Sequence, residues 1–118
     1  MEEFHDYEIY KLTTENSEII QGLMSLNADD GFIYISKIER ANFKKTKLFE
    51  GILDSMFAFA CKKAFGLGFN GAISFFAKTK LINLYRTRFG AMQIGTSQRM
   101  FIDSMAAQKL VDLHYEKD

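Results

Sequence analysis

Apolar and polar residues take turns over 7–12 (Tyr-Glu-Ile-Tyr-Lys-Leu), which predicts a strand, and Thr13, Thr14, Glu15, Asn16 and Ser17 then supply turn residues. Over 18–26 the residues Ile20, Gly22, Met24 and Leu26 share one face, while Ile19, Gln21, Leu23 and Ser25 share the other. That alternation predicts a second, half-buried strand. Residues 27–31 (Asn-Ala-Asp-Asp-Gly) make a hairpin loop, and 32–38 (Phe-Ile-Tyr-Ile-Ser-Lys-Ile), rich in β-branched and aromatic residues, make a third strand. Three consecutive strands are expected to pair antiparallel, the simplest topology.

The period then changes. Residues 39–47 (Glu-Arg-Ala-Asn-Phe-Lys-Lys-Thr-Lys) have no clean repeat and set four cations against one anion, which predicts a loop. From Phe49 onward, Phe49, Ile52, Leu53, Met56, Phe57, Ala60 and Ala64 recur at three and four, so a largely buried helix follows, ended by Gly66 and Gly68. Beyond Asn70-Gly71, the apolar run 72–77 lacks alternation and reads as a central strand covered on both faces. Thr79 is expected to cap a helix with Leu81, Leu84, Tyr85 and Phe89 on one face and Gly90 at its close. Short strands at 92–94 and 98–102 flank Gly95-Thr96-Ser97. Asp103 or Ser104 then caps a last helix to about Tyr115, with Ala107, Leu110, Val111 and His114 facing inward. The order β-β-β-α-β-α-β-β-α predicts an α/β (α+β) fold with a mixed sheet and covering helices, one domain over 1–118 without repeat or linker.

Composition bounds the chemistry. A chain of 118 residues with 47% hydrophobic content suits one soluble globular domain. Cys61 is the only cysteine, so no intrachain disulfide forms, and its apolar surroundings make it a small core residue rather than a reactive thiol. Fifteen basic and fifteen acidic residues cancel, so nucleic acid is not an expected partner. An acidic, polar N-terminus is wrong for a secretory signal, and no apolar run reaches the ~20 residues of a membrane span. A cytoplasmic protein with no membrane partner is the expectation. His5 and His114 lie far apart and no cysteine pair exists, so no metal site is expected.

Candidate chemistry gathers after the third strand. The start of a helix offers unpaired N–H groups and a positive dipole end to a phosphate, Gly51 lets a ligand approach the backbone, and Lys44, Lys45 and Lys47 add positive charge. Read on their own, Gly51 equally well relieves a tight turn and the lysines are equally well solvated. Lys78 and Lys80, with Arg86 and Arg88, either line a phosphate path or are solvated cations.

The element order, Gly51, and Tyr85 ahead of Phe89-Gly90-Ala91 resemble the GNAT superfamily of acyl-CoA-dependent N-acyltransferases over most of the chain. Ile38-Glu39-Arg40-Ala41 resembles the strand end of small bacterial GNAT-like proteins. The resemblance implies a GNAT-like fold and transfer of an acyl group from acetyl-CoA, the cosubstrate, to an amine acceptor. It implies a cofactor site made by Ile38, Arg40, Gly51, Ile52, Leu53 and Asp54, with the pyrophosphate on the backbone at 52–54. Tyr85, by match to the family tyrosine, would protonate the departing thiolate, and Glu39 is the candidate base for the amine. On residue chemistry alone, Glu39 at a strand end is more often a solvated carboxylate or a partner for Arg40, and aromatic core packing explains Tyr85 equally well. The chain departs from the family pattern at Leu48 and Leu53, in the spacing from Tyr85 to Gly90, and in lacking the opening strand and two helices before Tyr7. It therefore reads as N-terminally truncated relative to the family. A second reading follows, a non-catalytic CoA-binding or homo-oligomeric assembly module. Its 14% aromatic content leaves apolar surface for a homodimer in which a partner chain supplies the acceptor wall.

Overall fold

A computed structural model of the chain describes residues 8–13, 20–40 and 46–115, with 11–13, 20–22, 39–40, 46–50 and 52 described by their backbone alone. The β-strands are β1 (Glu8–Thr13), β2 (Ile20–Ala28), β3 (Ile33–Arg40), β4 (Ile73–Phe76), β5 (Met92–Gln93) and β6 (Arg99–Ile102). The helices are α1 (Thr46–Gly66), α2 (Ile82–Phe89) and α3 (Ser104–His114), and a short 3-10 turn, Thr79–Leu81, leads into α2. The predicted order therefore holds element for element. The turn expected after Thr13 and most of the loop expected over 39–47, with Lys44 and Lys45, lie outside the described residues.

The sheet runs β1-β2-β3-β4-β6-β5. β1, β2 and β3 pair antiparallel as expected, and β3 joins β4 in parallel through the α1 crossover, the connection that parallel neighbours require. Met24, Leu26, Ile33, Ile35, Ile73, Phe75, Met100 and Ile102 are all buried on one face of this sheet. Leu53, Met56, Phe57, Ala60, Cys61 and Ala64 of α1 are buried in the same core, and α3 packs on α1 through Ala107 and Leu110. Phe57 anchors the layer, with Phe75 edge-on at 4.9 Å and Phe89 stacked at 4.6 Å.

Two glycines are required by geometry. Gly71 turns the chain into β4 at φ +80°, and a Cβ there would meet the Phe65 ring at 2.5 Å and the Ala107 Cβ at 2.7 Å. Gly90 ends α2 at φ +69° in the left-handed region, its N–H donating to the Tyr85 and Arg86 carbonyls.

Three expectations change. Thr79 opens the 3-10 turn instead of capping α2, whose N-cap Leu81 makes no side-chain hydrogen bond. His114 is exposed, not inward, although Asp103 caps α3 as expected by accepting from the Ala106 N–H. The described helices pack on one side of the sheet, and Tyr34, Phe76, Arg99 and Phe101 alternate toward the other. Ser74 on that side is buried and donates to the Met100 carbonyl at 3.1 Å. Phe76 is 60% exposed, so β4 is not covered on both faces along its whole length.

Candidate functional site

β3 and β4 start side by side and then part. Their parallel pairing covers Ile33↔Ile73, Tyr34↔Ser74 and Ile35↔Phe75 and stops there. On the β3 side the cause is a bulge: Leu26 faces Ile35 while Ser25 faces Lys37, so Ser36 is the extra residue. Its hydroxyl donates to the Ser25 carbonyl and hydroxyl at 3.3 and 3.1 Å. A bulge bends its strand, and beyond it β3 stays with β2 as far as Arg40. β4 instead continues with β6, where the Ala77 N–H donates to the Gln98 carbonyl and Gln98 Nε2 donates to the Ala77 carbonyl.

A cleft of about 470 Å³ opens between the parted strands. Ser36, Lys37 and Ile38 form one bank, Phe75, Phe76 and Lys78 the other, and Leu53 and Tyr85 rise from α1 and α2. Past Ile35, no described strand pairs with the edge of β3 that faces away from β2. The crevice at the carboxyl ends of neighbouring parallel strands is where open α/β sheets bind ligands. Lys37, Lys78 and Lys80 give its exposed mouth a positive character.

Tyr85 is held by its ring. It lies edge-on to Phe75 at 5.0 Å and stacks at 5.6 Å on Phe57. Burial pushes its phenol above the ordinary tyrosine value, so the hydroxyl stays protonated at neutral pH. No described residue forms a hydrogen bond with that hydroxyl.

The cleft brings Ile38, Leu53 and Tyr85 together. Glu39 and Arg40 close β3 on the same bank, opposite Leu23 and Gly22, with only their backbones described. Gly51, Ile52 and Asp54 are placed otherwise than the sequence suggests, because α1 begins at Thr46. Only the first-turn N–H groups of a helix lack an internal acceptor, so in a helix that begins at Thr46 the amides at 52–54 are committed to the helix. Gly51 sits inside α1 without a positive φ and with open space around its Cα. The Asp54 carboxylate takes a bidentate pair from Arg88, with Nε to Oδ1 and Nη2 to Oδ2 both at 2.7 Å.

Ser36 was not singled out by sequence pattern, although a signal exists: the apolar positions of β3 step from 33 and 35 to 38, breaking parity. A second cavity, about 350 Å³, lies on the other flank of α1 between Tyr10, Met24, Ser55, Met56, Phe59, His114 and Tyr115. It borders no gap between parallel strands. Among the described residues no group of three His, Cys, Asp or Glu side chains is placed to hold a metal, and no helix is long and apolar enough to cross a membrane.

No protein-family model and no curated protein matches the chain. Solved structures do. A chain of the KacTA–DNA complex aligns over 88% of this chain and 72% of its own with a TM-score of 0.64 at 12% identity. A bacterial toxin aligns over 95% of this chain and 65% of its own with a TM-score of 0.58 at 14% identity. A mutant of the AtaT toxin, bound to the C-terminus of the antitoxin AtaR and to acetyl-CoA, aligns over 83% of this chain and 65% of its own, with a TM-score of 0.53 at 9% identity.

The fold is GNAT-like. KacT and AtaT are toxins of that fold, and at these identities the likeness is one of fold. One expectation falls with it. A formal charge of zero does not exclude nucleic acid, since a chain of this fold occurs in a complex containing DNA. Net charge is a sum over the chain, whereas binding depends on where cations gather, as they do at this cleft.

Proposed function

We propose that the chain binds acetyl-CoA, or a related acyl-CoA, in the cleft between β3 and β4 and transfers its acyl group to an amine. The parting of the two strands beside Tyr85, whose protonated hydroxyl has no partner among the described residues, is the observation that carries this reading. The amine nitrogen attacks the thioester carbonyl carbon, the C–N bond forms and the C–S bond breaks. Backbone amides near Ile38 to Arg40 on β3 would polarise the carbonyl oxygen, Glu39 at the end of that strand would take the amine proton, and Tyr85 would donate a proton to the leaving thiolate. The pyrophosphate of the thioester would meet the N–H groups of the first turn of α1, with Lys78 and Lys80 across the mouth. A neighbour of the same fold bound to acetyl-CoA supports the ligand class.

Calorimetric titration with acetyl-CoA, followed by thiol release in the presence of amines, tests the proposal. Saturable heat and amine-dependent thiol release are expected. The absence of heat and of any thermal shift at millimolar ligand would sink it.

The sheet face that carries no described helix favours a second reading, a non-catalytic assembly module. Ile9, paired opposite Ser25 on that face, is 69% exposed, Phe76 is 60% exposed, and Met92, opposite Phe101, is 39% exposed. Covering this face with a second copy would bury them. A monodisperse monomer that turns over acetyl-CoA rules that reading out.

A further inference from the structure

α2 carries Tyr85 and rests on β5, where Arg86 Nη2 donates to Gln93 Oε1 at 3.0 Å, and on α3. α2 is eight residues long, follows a 3-10 turn and makes no side-chain hydrogen bond at its N-cap. Among the described residues, the rings of Tyr85 and Phe89 on Phe57 and the Arg88–Asp54 pair join it to α1. They constrain different things. Parallel rings, such as Phe57 and Phe89 at 10°, tolerate offset along their faces. A planar guanidinium bound to both oxygens of one carboxylate sets distance, tilt and register together.

The position of the pair matters. Asp54 follows Leu53, which lines the cleft, and Arg88 lies three residues after Tyr85, a neighbour on the helix surface. The pair is partly exposed, its side chains 33% and 21% accessible, so it adds little to overall stability.

We propose that Asp54–Arg88 is a positioning clamp that holds α2 in one register against α1 and so fixes the Tyr85 hydroxyl relative to the β3 bank at Ser36–Ile38. This rests on the reading of Tyr85 as proton donor. It gives Asp54 a role other than contact with a ligand, for which a carboxylate facing a pyrophosphate would be the wrong charge.

Two variants and a rescue test it. Asp54→Asn keeps the shape but opposes an amide to one guanidinium nitrogen, Arg88→Lys keeps the charge without the fork, and the exchange Asp54→Arg with Arg88→Asp restores a pair. Each is measured for kcat, for the KM of acetyl-CoA, for melting temperature, and for the titration of Tyr85 followed by NMR of ring-labelled tyrosine, assigned with Tyr85→Phe. The charged groups sharing the cleft with Tyr85, which are Lys37, Lys78 and Lys80, are the same in every variant.

The single variants are expected to lose about tenfold to a hundredfold in kcat, as for a misplaced catalytic group. The KM should stay within about twofold. The Tyr85 titration should move toward the ordinary tyrosine value while the fold persists, and the exchange should recover part of both effects. Unchanged kcat with an unchanged Tyr85 titration overturns the clamp. So does a raised KM at constant kcat, which would make Asp54 a ligand contact. Should the wild-type protein turn over no acyl-CoA, the enzyme reading fails separately and the Tyr85 titration alone decides: movement upholds the clamp and constancy refutes it.

Discussion

At Tyr85, packing and chemistry make opposite demands. Its ring is core material among Phe57 and Phe75, while its hydroxyl opens on the cleft without a described partner. Removing a hydroxyl that satisfies no internal bond costs little, so Tyr85→Phe should leave the melting temperature unchanged or slightly raised. If Tyr85 is the acid, the same change lowers kcat by roughly a hundredfold or more. Thermal melts and acyl-transfer rates on one preparation read both. Cys61 shows burial without such a role. The apolar core pushes its thiol up to about 12, so the folded chain keeps this proton at pH values where the unfolded chain, titrating near 9.0, releases it. More protons on the folded state means that stability falls as pH rises, by about 1.4 kcal/mol per unit between those values. Denaturation from pH 8 to 11 should therefore be steeper for the wild type than for Cys61→Ala. A residual slope remains in the variant, because burial also raises Tyr85 and Tyr115.

α1 is the element where sequence and structure differ most usefully. Gly51 stands out in the sequence because glycine so often lets a ligand reach the backbone, yet it lies exposed within the helix with nothing near its Cα. Gly51→Ala should therefore stabilise the protein by about 0.5–1 kcal/mol through helix propensity and leave acetyl-CoA binding unchanged. Weaker binding would return the pyrophosphate to that glycine. The strands were legible because alternation and β-branched runs are local. The inward residues of β2, Met24 and Leu26, share the face that the alternation gives them. The α1 boundary was not legible, because the polar stretch 39–47 carries no period to separate loop from first turn. Nor was the Asp54–Arg88 pair, which joins residues 34 apart that no local rule relates.

Over the whole molecule, the fold follows from element order, since a meander leading into a parallel crossover leaves few topologies open. The cleft depends on where two strands stop pairing, which composition does not report. The open face of the sheet likewise depends on all helices falling on one side. The central claim is that acyl-CoA sits in the gap between β3 and β4. Titration of acetyl-CoA into methyl-labelled protein, followed by NMR, tests that claim most directly. Ile35, Ile38, Leu53 and Leu81 line the cleft, whereas Met24 and Met56 line the cavity on the far side of α1. Saturable shifts concentrated on the first four methyl-bearing residues are predicted, and shifts concentrated on Met24 and Met56, or none at millimolar acetyl-CoA, would contradict it.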